Sequence, residues 1–447
     1  MTSVVHRILA RVLRSLERYP SVPGIRDVLI LWSILFSILL ISNATAGKWF
    51  LGVGGPTYGL ESTEIAKSLL LHGTFSDPYP PTPTGPTAHV GPLYPLFYAA
   101  MIRVFGNGEA FGWAIRLLTL AVLALHWALL PLAASRLGIP AAAGLLAALL
   151  GALIAAPNTL YNQDAAFTCL LLTVLICLTA TACNGAFGVA AASAAGLLWG
   201  AACLMNPILL PVWIVWGIVL FARLGPASRR NVAFLGLAIL VMIPWLIRNR
   251  IAFGHFVFIR GNLGTEMAAS NNDCASAWAP DNQRSGCYAQ WHPAESSEMA
   301  SRVAALGDYR FNLEQRDKAL AWIREHPARF LILGAQRFRL FWLPLNRISN
   351  KAALYDELLI CFFTLLSIPG GMLAWRKHRF AAYLLFSAML LYSLPYFLFM
   401  NVLRYRFPIL WISVLLTAVF LHRLLPQQSA PARTSHELDA ACEPQHS

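Results

Sequence analysis

About ten apolar stretches, each close to the length of a membrane-crossing helix, constrain this chain more than any other feature. A helix needs ~20 mostly apolar residues to cross the hydrocarbon core of a bilayer. Across the chain 57% of residues are hydrophobic and only 12% are charged, which is the composition of an integral membrane protein. The sequence therefore predicts an all-α polytopic membrane protein with spans at about 27–46, 111–135, 138–156, 164–182, 186–205, 207–224, 231–248, 352–374, 380–399 and 406–425.

The basic residues orient these spans, because positive charge is enriched on the cytoplasmic side of membrane helices. With ten crossings every basic cluster falls on the cytoplasmic side, so both termini are expected in the cytoplasm. The membrane is expected to be the inner (plasma) membrane of the cell. Residues 1–26 form a basic cytoplasmic segment, 27–425 the transmembrane domain and 426–447 a disordered cytoplasmic tail. The clusters are Arg7, Arg11, Arg14, Arg18 and Arg26, then Arg223, Arg229 and Arg230, then Arg376, Lys377 and Arg379.

The formal net charge of +13 does not indicate a nucleic-acid partner. The arginines and lysines gather at the ends of the apolar runs, where they orient helices in the bilayer, and they do not form one continuous patch. Ala44-Thr45-Ala46 resembles a signal-peptide processing site, but the long basic segment before the first span favours a retained anchor.

Two long connections, about 47–110 and 249–351, are predicted on the outer face. The first begins with a short helix, Glu61 to Leu71, whose apolar stripe suits a position along the membrane surface. The stretch Ser76 to Pro92 is rich in Pro, Gly and Thr and is expected to run as turns and extended chain. A second short apolar helix is expected at Leu93 to Gly106.

The second connection contains a run of aromatic and β-branched residues, Phe253 to Ile259, which predicts a strand or an interfacial segment. Leu313 to Trp342 is predicted as a helix that breaks before Pro327 and continues as an amphipathic helix. Arg337 and Arg339 argue against that second piece being a buried span.

Of the eight cysteines, two share a polar loop, Cys274 and Cys287. They could close a disulfide if that loop faces an oxidising compartment, and they could equally remain thiols, because loop length does not fix the geometry. The cysteines in apolar runs are interpreted as small core residues: Cys169, Cys177, Cys183, Cys203 and Cys361.

Four segments, taken in order, resemble the GT-C membrane glycosyltransferases. They are an acidic residue in a short helix after the first span, then PTGPTAHVGPLYPLFYAAMIRVFG, then PWLIRNRIAFGHFVFIRGNLGTEMAASNN, then RYRFPI at the last span. The chain looks most similar to the bacterial proteins related to dolichyl-phosphate-mannose protein mannosyltransferases and to the lipid A aminoarabinose transferase. The resemblance covers most of 27–425, and the order of the segments makes it specific. It implies a GT-C-like fold and a sugar donor carried on a polyprenyl phosphate.

In that family a carboxylate in the first outer loop is the base that acts on the acceptor, and by position this residue is Glu61. The usual residue is Asp, so Glu61 is a departure that affects fine geometry. The chemistry agrees, because the attacking hydroxyl must lose its proton to a group within hydrogen-bond reach. Glu64 is interpreted as a solvated residue that pairs with Lys67 at i,i+3, with a cavity position as the alternative.

The resemblance also implies that a basic residue near the last span contacts the carrier phosphate, and Arg404 and then Arg406 are the candidates. Arginine suits bidentate contact with phosphate oxygens. The alternative is an ordinary interfacial anchor that snorkels to water.

Further candidates around the cavity each have a structural alternative. Asp164 lines the cavity or caps a helix, and His89 contacts a substrate or is a satisfied loop histidine. Arg248 and Asn249 match a family segment or mark the membrane boundary, and Arg116 pairs with an acid of the first connection. No metal-ligand motif is visible, so no metal ligands are assigned and a divalent cation is left open.

The sequence thus predicts an inverting glycosyltransferase that moves a sugar from a polyprenyl (undecaprenyl) phosphate carrier to an acceptor glycan, lipid or protein at the outer face. The alternative is a transporter or flippase of lipid-linked sugars without transferase activity. A transporter needs ionisable residues near midspan. Here the acids gather in the outer connections and at helix ends, which favours the enzyme.

Overall fold

The computed structural model describes residues 19–45, 60–155, 163–183, 188–225, 228–345 and 351–425, and these ranges are almost entirely helical. Within them the only β-type pairings are isolated bridges. The α-helices in chain order are α1 Ile25–Thr45, α2 Leu60–His72, α3 Leu93–Phe105, α4 Glu109–Ala128, α5 Leu130–Arg136, α6 Ala141–Ala155, α7 Gln163–Cys183, α8 Val189–Met205, α9 Leu210–Leu224, α10 Arg229–Phe253, α11 Leu263–Ser270, α12 Ala279–Arg284, α13 Ser297–Leu306, α14 Asp308–Glu325, α15 Pro327–Trp342, α16 Lys351–Lys377, α17 Arg379–Ser393 and α18 Phe407–Leu424.

Each predicted span coincides with an apolar helix of the described chain, and seven of the helices are long and apolar enough to cross a membrane. The polytopic membrane fold is therefore confirmed, whereas the count of ten is not. The three remaining spans correspond to shorter helices, α6 with 15 residues, α8 with 17 and α9 with 15. At 1.5 Å per residue such helices rise ~22–26 Å, which is less than the ~30 Å hydrocarbon core.

The membrane helices pack through small residues. Gly196 and Gly200 lie one turn apart on α8, and a Cβ atom added at either would come within 2.6 Å of a backbone oxygen of α10. Close backbone approach of this kind is how membrane helices gain packing energy without a hydrophobic driving force. The first two-thirds of α18, Phe407 to Ala418, is buried throughout, so α18 is a central helix of the bundle. By contrast, α1 exposes a stripe of apolar side chains that suits lipid contact: Ile30, Ile34, Ile38 and Ile41.

Helices α2 and α3 and helices α11 to α15 lie in the two long connections, which contact each other on one side of the molecule, called here the loop face. Thr87 of the first connection hydrogen-bonds Asp308 of the second, and Arg248 donates to the carbonyls of Thr87 and Phe75. Gly264 of α11 packs directly on the backbone of α14 at Asn312, where no Cβ atom would fit. The predicted short helices of the first connection are confirmed as α2 and α3.

One interpretation of the second connection, the strand at Phe253 to Ile259, needs correction. Phe253 to Ile259 forms no strand, because α10 continues to Phe253 and Gly254 then ends it with a φ of +68°. The break before Pro327 is confirmed, and α15 is not among the candidate spans. However, Arg337 of α15 is fully buried, whereas Arg339 is exposed. The basic residues Arg7 to Arg18, Ala46 of the possible processing site and the tail 426–447 lie outside the described residues.

Candidate active site

Glu61 lies in the first turn of α2, on the loop face, and is partly buried. The helix is held by Ile65 and Ala66, which are both fully buried, and it ends before Gly73, whose φ of +68° suits glycine. Two buried residues of the second connection, Tyr288 and His292, are close enough for the negative charge of Glu61 to affect them. Burial has the larger effect on the pKa of each, and the charge of Glu61 acts to raise the pKa of both. Glu61 therefore faces the space between the two connections.

Glu64, one turn further along α2, has a different environment. Its Oε1 lies 2.6 Å from Nζ of Lys67 in the i,i+3 pair that the sequence predicts. The predicted i,i+3 pair of Glu64 with Lys67 is confirmed, but the Glu64 side chain is only 19% exposed and is therefore partly buried rather than fully solvated.

The segment that follows α2 is shaped by one carboxylate, Asp77. Its Oδ1 accepts hydrogen bonds from the backbone N–H groups of Thr84 and Gly85, both at 2.8 Å, and its Oδ2 accepts from Ser76 at 2.7 Å. These hydrogen bonds lower the pKa of Asp77 and oppose the effect of its burial. The turn closes with an isolated antiparallel bridge between Ser76 and Pro86. Residues 87–89 follow this turn and contact the second connection.

Asp308, the first residue of α14, fixes residues 87–89. Its Oδ2 accepts from the Thr87 hydroxyl at 3.0 Å and from the Ala88 N–H at 2.9 Å. On the other side of the segment Gly261 donates to the Ala88 carbonyl at 2.8 Å and Arg260 donates to the His89 carbonyl at 3.0 Å. His89 is therefore held rigidly at the boundary between the two connections.

The structure brings His89 together with two residues that the sequence does not single out, Glu266 of α11 and His292. One potential ligand atom from each of the three lies within 4.8 Å of the others. Both histidines are buried, and Glu266 is partly buried. No ligand spacing is visible in the sequence, because the three residues come from separate parts of the chain.

This cluster suits a divalent cation. The Tyr79 hydroxyl lies 2.6 Å from Nδ1 of His89, and in the tautomer with the proton on Nδ1 that proton is donated to the tyrosine oxygen, which leaves the lone pair of Nε2 free for a ligand. Glu266 accepts from Asn262 through Oε1 at 3.1 Å, so its second oxygen is available. Nδ1 of His292 accepts a hydrogen bond from the Ala294 N–H at 3.2 Å, so His292 binds a cation either through Nδ1 in place of that bond or through Nε2 after the ring proton moves to Nδ1. In either arrangement two imidazole nitrogens and one carboxylate oxygen are a donor set that Zn²⁺ commonly takes in sites that keep an open position.

The ionisation states of the two cluster histidines also suit the binding of a divalent cation. Burial lowers the pKa of His292 to about 4 and the pKa of His89 well below its usual value, so both rings are neutral at pH 7. Burial raises the pKa of Glu266, and the positive charges of Arg260 and Arg404 act against that rise.

Arg404 and Arg406 do not share an environment, although both lie in the short 3-10 helix Leu403–Arg406 before α18. Arg404 is exposed, its guanidinium lies 5.7 Å from the ring centre of Tyr405, and its charge acts on Glu266. Arg406 is 1% exposed, packs 4.4 Å over the Trp342 ring and donates to Ser413 at 2.6 Å. Arg404 therefore faces the cluster, and Arg406 is part of the packed core.

Arg248 and Asn249, in the last turns of α10, donate hydrogen bonds to backbone carbonyls of both connections. Arg248 donates to the Thr87 and Phe75 carbonyls, both at 2.7 Å, and stacks on Trp245. Asn249 is fully buried and donates to the carbonyls of Val257 and Phe258. These contacts favour a structural role for both residues.

For the last two candidates, Arg116 and Asp164, the described residues show no contact with the cluster. Arg116 stacks at 5.7 Å on Trp113 of its own helix, and among the described residues it forms no ion pair with an acid of the first connection. Asp164 lies in the first turn of α7, and its side chain falls outside the described residues.

Cys274 and Cys287 are joined by a disulfide bond in the structure, with the Cα atoms 5.7 Å apart. This bond ties the start of the second connection to the segment that carries Tyr288 and His292. Of the two alternatives that the sequence leaves open, the structure adopts the bridged one.

The groups that sequence reasoning missed are Tyr79, Arg260, Glu266, Tyr288 and His292. Local spacing gives no sign of them, since no two of the cluster ligands lie within a few residues of each other. The one available signal was that Arg260 and Glu266 fall inside the segment from Pro244 to Asn272, which carries part of the resemblance.

No protein-family model and no curated protein matches this chain. Among solved structures, it is similar to the oligosaccharyltransferase of Archaeoglobus fulgidus in complex with Zn and sulfate, at 17% identity and a TM-score of 0.48 over 87% of this chain and 49% of that one. It is also similar to ArnT from Cupriavidus metallidurans bound to undecaprenyl phosphate, at 17% identity and a TM-score of 0.37 over 88% of this chain and 78% of that one.

Both neighbours are GT-C glycosyltransferases, the class that the sequence segments resemble. The chain spans about half the length of the oligosaccharyltransferase. Because the TM-scores lie below 0.5, the function is inferred below from the residues of the site.

Proposed function

We propose that this protein is a GT-C membrane glycosyltransferase that transfers a sugar from a polyprenyl-phosphate carrier to an acceptor at the loop face. The observation that carries the proposal is the cluster of His89, Glu266 and His292, whose ligand atoms lie within 4.8 Å of one another at the contact between the two connections. Glu61 and Arg404 are the charged residues that we assign to its two sides. The charge of Glu61 acts to raise the pKa of His292, and the charge of Arg404 acts to lower the pKa of Glu266. A base for the acceptor and a cation for the leaving group thus flank a single space.

The chemistry assigns a role to each group. The acceptor hydroxyl gives its proton to the Glu61 carboxylate while its oxygen attacks the anomeric carbon of the sugar. The bond between that carbon and the carrier phosphate oxygen breaks on the opposite face, so the configuration inverts. Arg404 stabilises the negative charge that develops on the departing phosphate. Holding both substrates in line across the site supplies much of the acceleration.

His89, Glu266 and His292 would hold a divalent cation in this site. When bound, the ion supplies positive charge next to the carrier phosphate. Tyr79 keeps the His89 ring oriented through its 2.6 Å hydrogen bond, and Asp308 keeps residues 87–89 in place from the other side.

This function would place the protein in the bacterial inner membrane as a multi-pass protein. Both termini would lie in the cytoplasm, and the loop face would lie on the outer side. The paired Cys274 and Cys287 agree with an oxidising compartment on that side. A nucleotide-sugar donor would lie on the opposite side of the membrane, which supports a lipid-borne donor.

The direct test supplies the purified full chain in nanodiscs with a panel of undecaprenyl-phosphate sugars and measures release of undecaprenyl phosphate. We expect release with one or more donors, faster when an acceptor glycan or lipid is added. Flux of intact lipid-linked sugar across sealed vesicles, with no donor consumed, would instead establish the transporter alternative.

Replacement of Arg404 by Gln is expected to raise the KM for the polyprenyl-phosphate donor about 10- to 100-fold, because a charge-assisted contact to phosphate is lost. Steady-state kinetics with varied donor measures this. Arg423 lies in the last turn of α18, the helix that follows the turn of Arg404, and is exposed. Arg423→Gln is therefore the matched control and should keep the original KM. Equal KM values for both variants would remove Arg404 from the donor site.

Replacement of His292 by Ala is expected to weaken Zn²⁺ binding by about 100-fold or more, because one of three ligands is removed from the cluster. Equilibrium dialysis with analysis of bound metal measures this independently of activity. His255 is exposed and stacks on Tyr309, so His255→Ala serves as the control. Unchanged Zn²⁺ affinity in His292→Ala would show that the cluster does not hold the ion.

A further inference from the structure

A cavity lies on the loop face, between the segment that follows α10 and the side of α14. It has a volume of about 190 Å³, far more than the ~10–15 Å³ that one water molecule needs in this measure, and it accommodates one sugar-sized group. The lining residues on which the inference depends are Ala88, Phe256, Phe258, Arg260, Tyr309 and Arg316.

The cavity has aromatic walls that are open to a ligand. Phe256 is 67% exposed and Phe258 is 38% exposed, with ring centres 6.3 Å apart. Tyr309 lies on the α14 side and stacks on His255 with ring centres 4.6 Å apart. Exposed rings of this kind offer flat apolar faces, against which the C–H faces of a sugar ring pack.

The charged groups of the cavity are predominantly cationic. The one buried carboxylate, Asp308, already accepts from Thr87, Ala88 and Asn312. The Nε of Arg260 donates to the His89 carbonyl, and its two terminal nitrogens have no hydrogen-bond partner among the described residues. Two free N–H-bearing nitrogens in a fixed plane match a phosphate or a carboxylate.

Arg316 adds the second cation at the rim. Its partner is Asp317 at 2.8 Å, a side chain that is 65% exposed. An ion pair so open to water is weak, so an anionic ligand can replace Asp317 at low cost.

The cavity adjoins the catalytic cluster through two links. Ala88 lines the cavity, while the next residue, His89, belongs to the cluster. Arg260 lines the cavity, and its charge acts on His89 and Glu266. Arg404, the proposed donor-phosphate residue, does not line this cavity. A ligand here is therefore next to the site without competing for the carrier phosphate.

We propose that this cavity binds a sugar bearing an acidic substituent, phosphate or carboxylate, and that this sugar belongs to the acceptor. The acceptor assignment rests on the proposed glycosyltransferase function, whereas the binding itself does not. The aromatic side chains pack against the sugar ring, and Arg260 and Arg316 bind its acidic substituent.

The test is binding of glucose 6-phosphate and of glucuronic acid to the detergent-solubilised full chain, by isothermal titration, with glucose and inorganic phosphate as comparisons. We expect at least one of the two acidic sugars to bind about tenfold more tightly than both glucose and phosphate, because ring and charge are recognised together. Which acidic sugar binds more tightly distinguishes a phosphate from a carboxylate substituent. Equal binding of phosphate and glucose 6-phosphate would overturn the sugar proposal, and equal binding of glucose would overturn the charge proposal.

Two surface variants locate the site. Phe256→Ala and Arg316→Gln should each weaken binding of the preferred acidic sugar about fivefold or more. The control is Arg310→Gln, because Arg310 is an exposed arginine of the same helix that does not line the cavity. Binding that is unchanged in both variants, with thermal unfolding as in the original protein, would place the sugar elsewhere. Glu61→Gln should retain the binding, so a failure of the proposed catalysis and a failure of this site give different results.

Discussion

Replacement of Glu61 by Gln is expected to lower the turnover number for sugar transfer by about 10²–10⁴-fold, which is the usual contribution of a positioned general base. Glutamine keeps the length and shape of the side chain but cannot take the proton of the acceptor hydroxyl. The partly buried position of Glu61 in the first turn of α2 is expected to be retained. Because the donor contacts of Arg404 are untouched, the KM for the donor should change little. Release of undecaprenyl phosphate under saturating donor and acceptor measures the effect.

The chain provides a matched control one helical turn away. Glu64 pairs with Lys67 at 2.6 Å, and Glu64→Gln removes only a surface ion pair. That variant should keep activity within about twofold of the original, since such pairs contribute ~0–1 kcal/mol to stability and touch no substrate. Full turnover in Glu61→Gln would eliminate Glu61 as the base. Equal losses in Glu61→Gln and Glu64→Gln would indicate damage to α2 as a whole.

Replacement of Arg337 by Met is expected to lower the free energy of unfolding by about 3 kcal/mol, because a buried cation that satisfies several carbonyls is removed. Arg337 is 0% exposed, and burial lowers its pKa to about 10, so it stays charged at pH 7. Its NH1 donates to the Leu398 carbonyl and to Asn271 Oδ1, both at 3.0 Å, and its NH2 donates to the Ser270 carbonyl. Thermal unfolding followed by tryptophan fluorescence in detergent should show a lower Tm.

Arg339 is the control for this change. It lies two residues further along α15, is exposed and donates to the Leu345 carbonyl at 2.9 Å. Arg339→Met should leave the Tm almost unchanged, because a solvent-exposed hydrogen bond contributes little net stability. A similar small effect in both variants would mean that water or neighbouring groups replace the buried contacts of Arg337.

The contacts of Arg337 have a consequence for the active site. They tie α11 and α15 to residues 397–398, and Asn401 is joined to Ala277 and Ala279 by backbone hydrogen bonds at 2.8 and 2.9 Å. The segment 397–401 leads directly into the turn that carries Arg404. Loss of Arg337 should therefore also raise the donor KM, as an indirect effect of displacing that turn.

Much of this architecture follows from local patterns in the chain. The helical membrane segments, the short helices α2 and α3, the break before Pro327 and the pair of Glu64 with Lys67 all depend on residues that are close in sequence. Apolar length, proline geometry and i,i+3 spacing determine such features, and each can be evaluated within a window of about twenty residues. The same window gives the position of Glu61 at the start of α2.

The tertiary structure alone decided which side chains meet. His89 comes from the first connection, and Glu266 and His292 come from separate parts of the second. The packing held by Asp308 and by the disulfide of Cys274 and Cys287 brings their ligand atoms within 4.8 Å of one another. It also separated Arg404 from Arg406, which local spacing treats as equivalent, by directing one toward Glu266 and the other onto Trp342. The physical reason is that the direction of a side chain depends on the neighbours that surround it, and those neighbours belong to distant parts of the sequence.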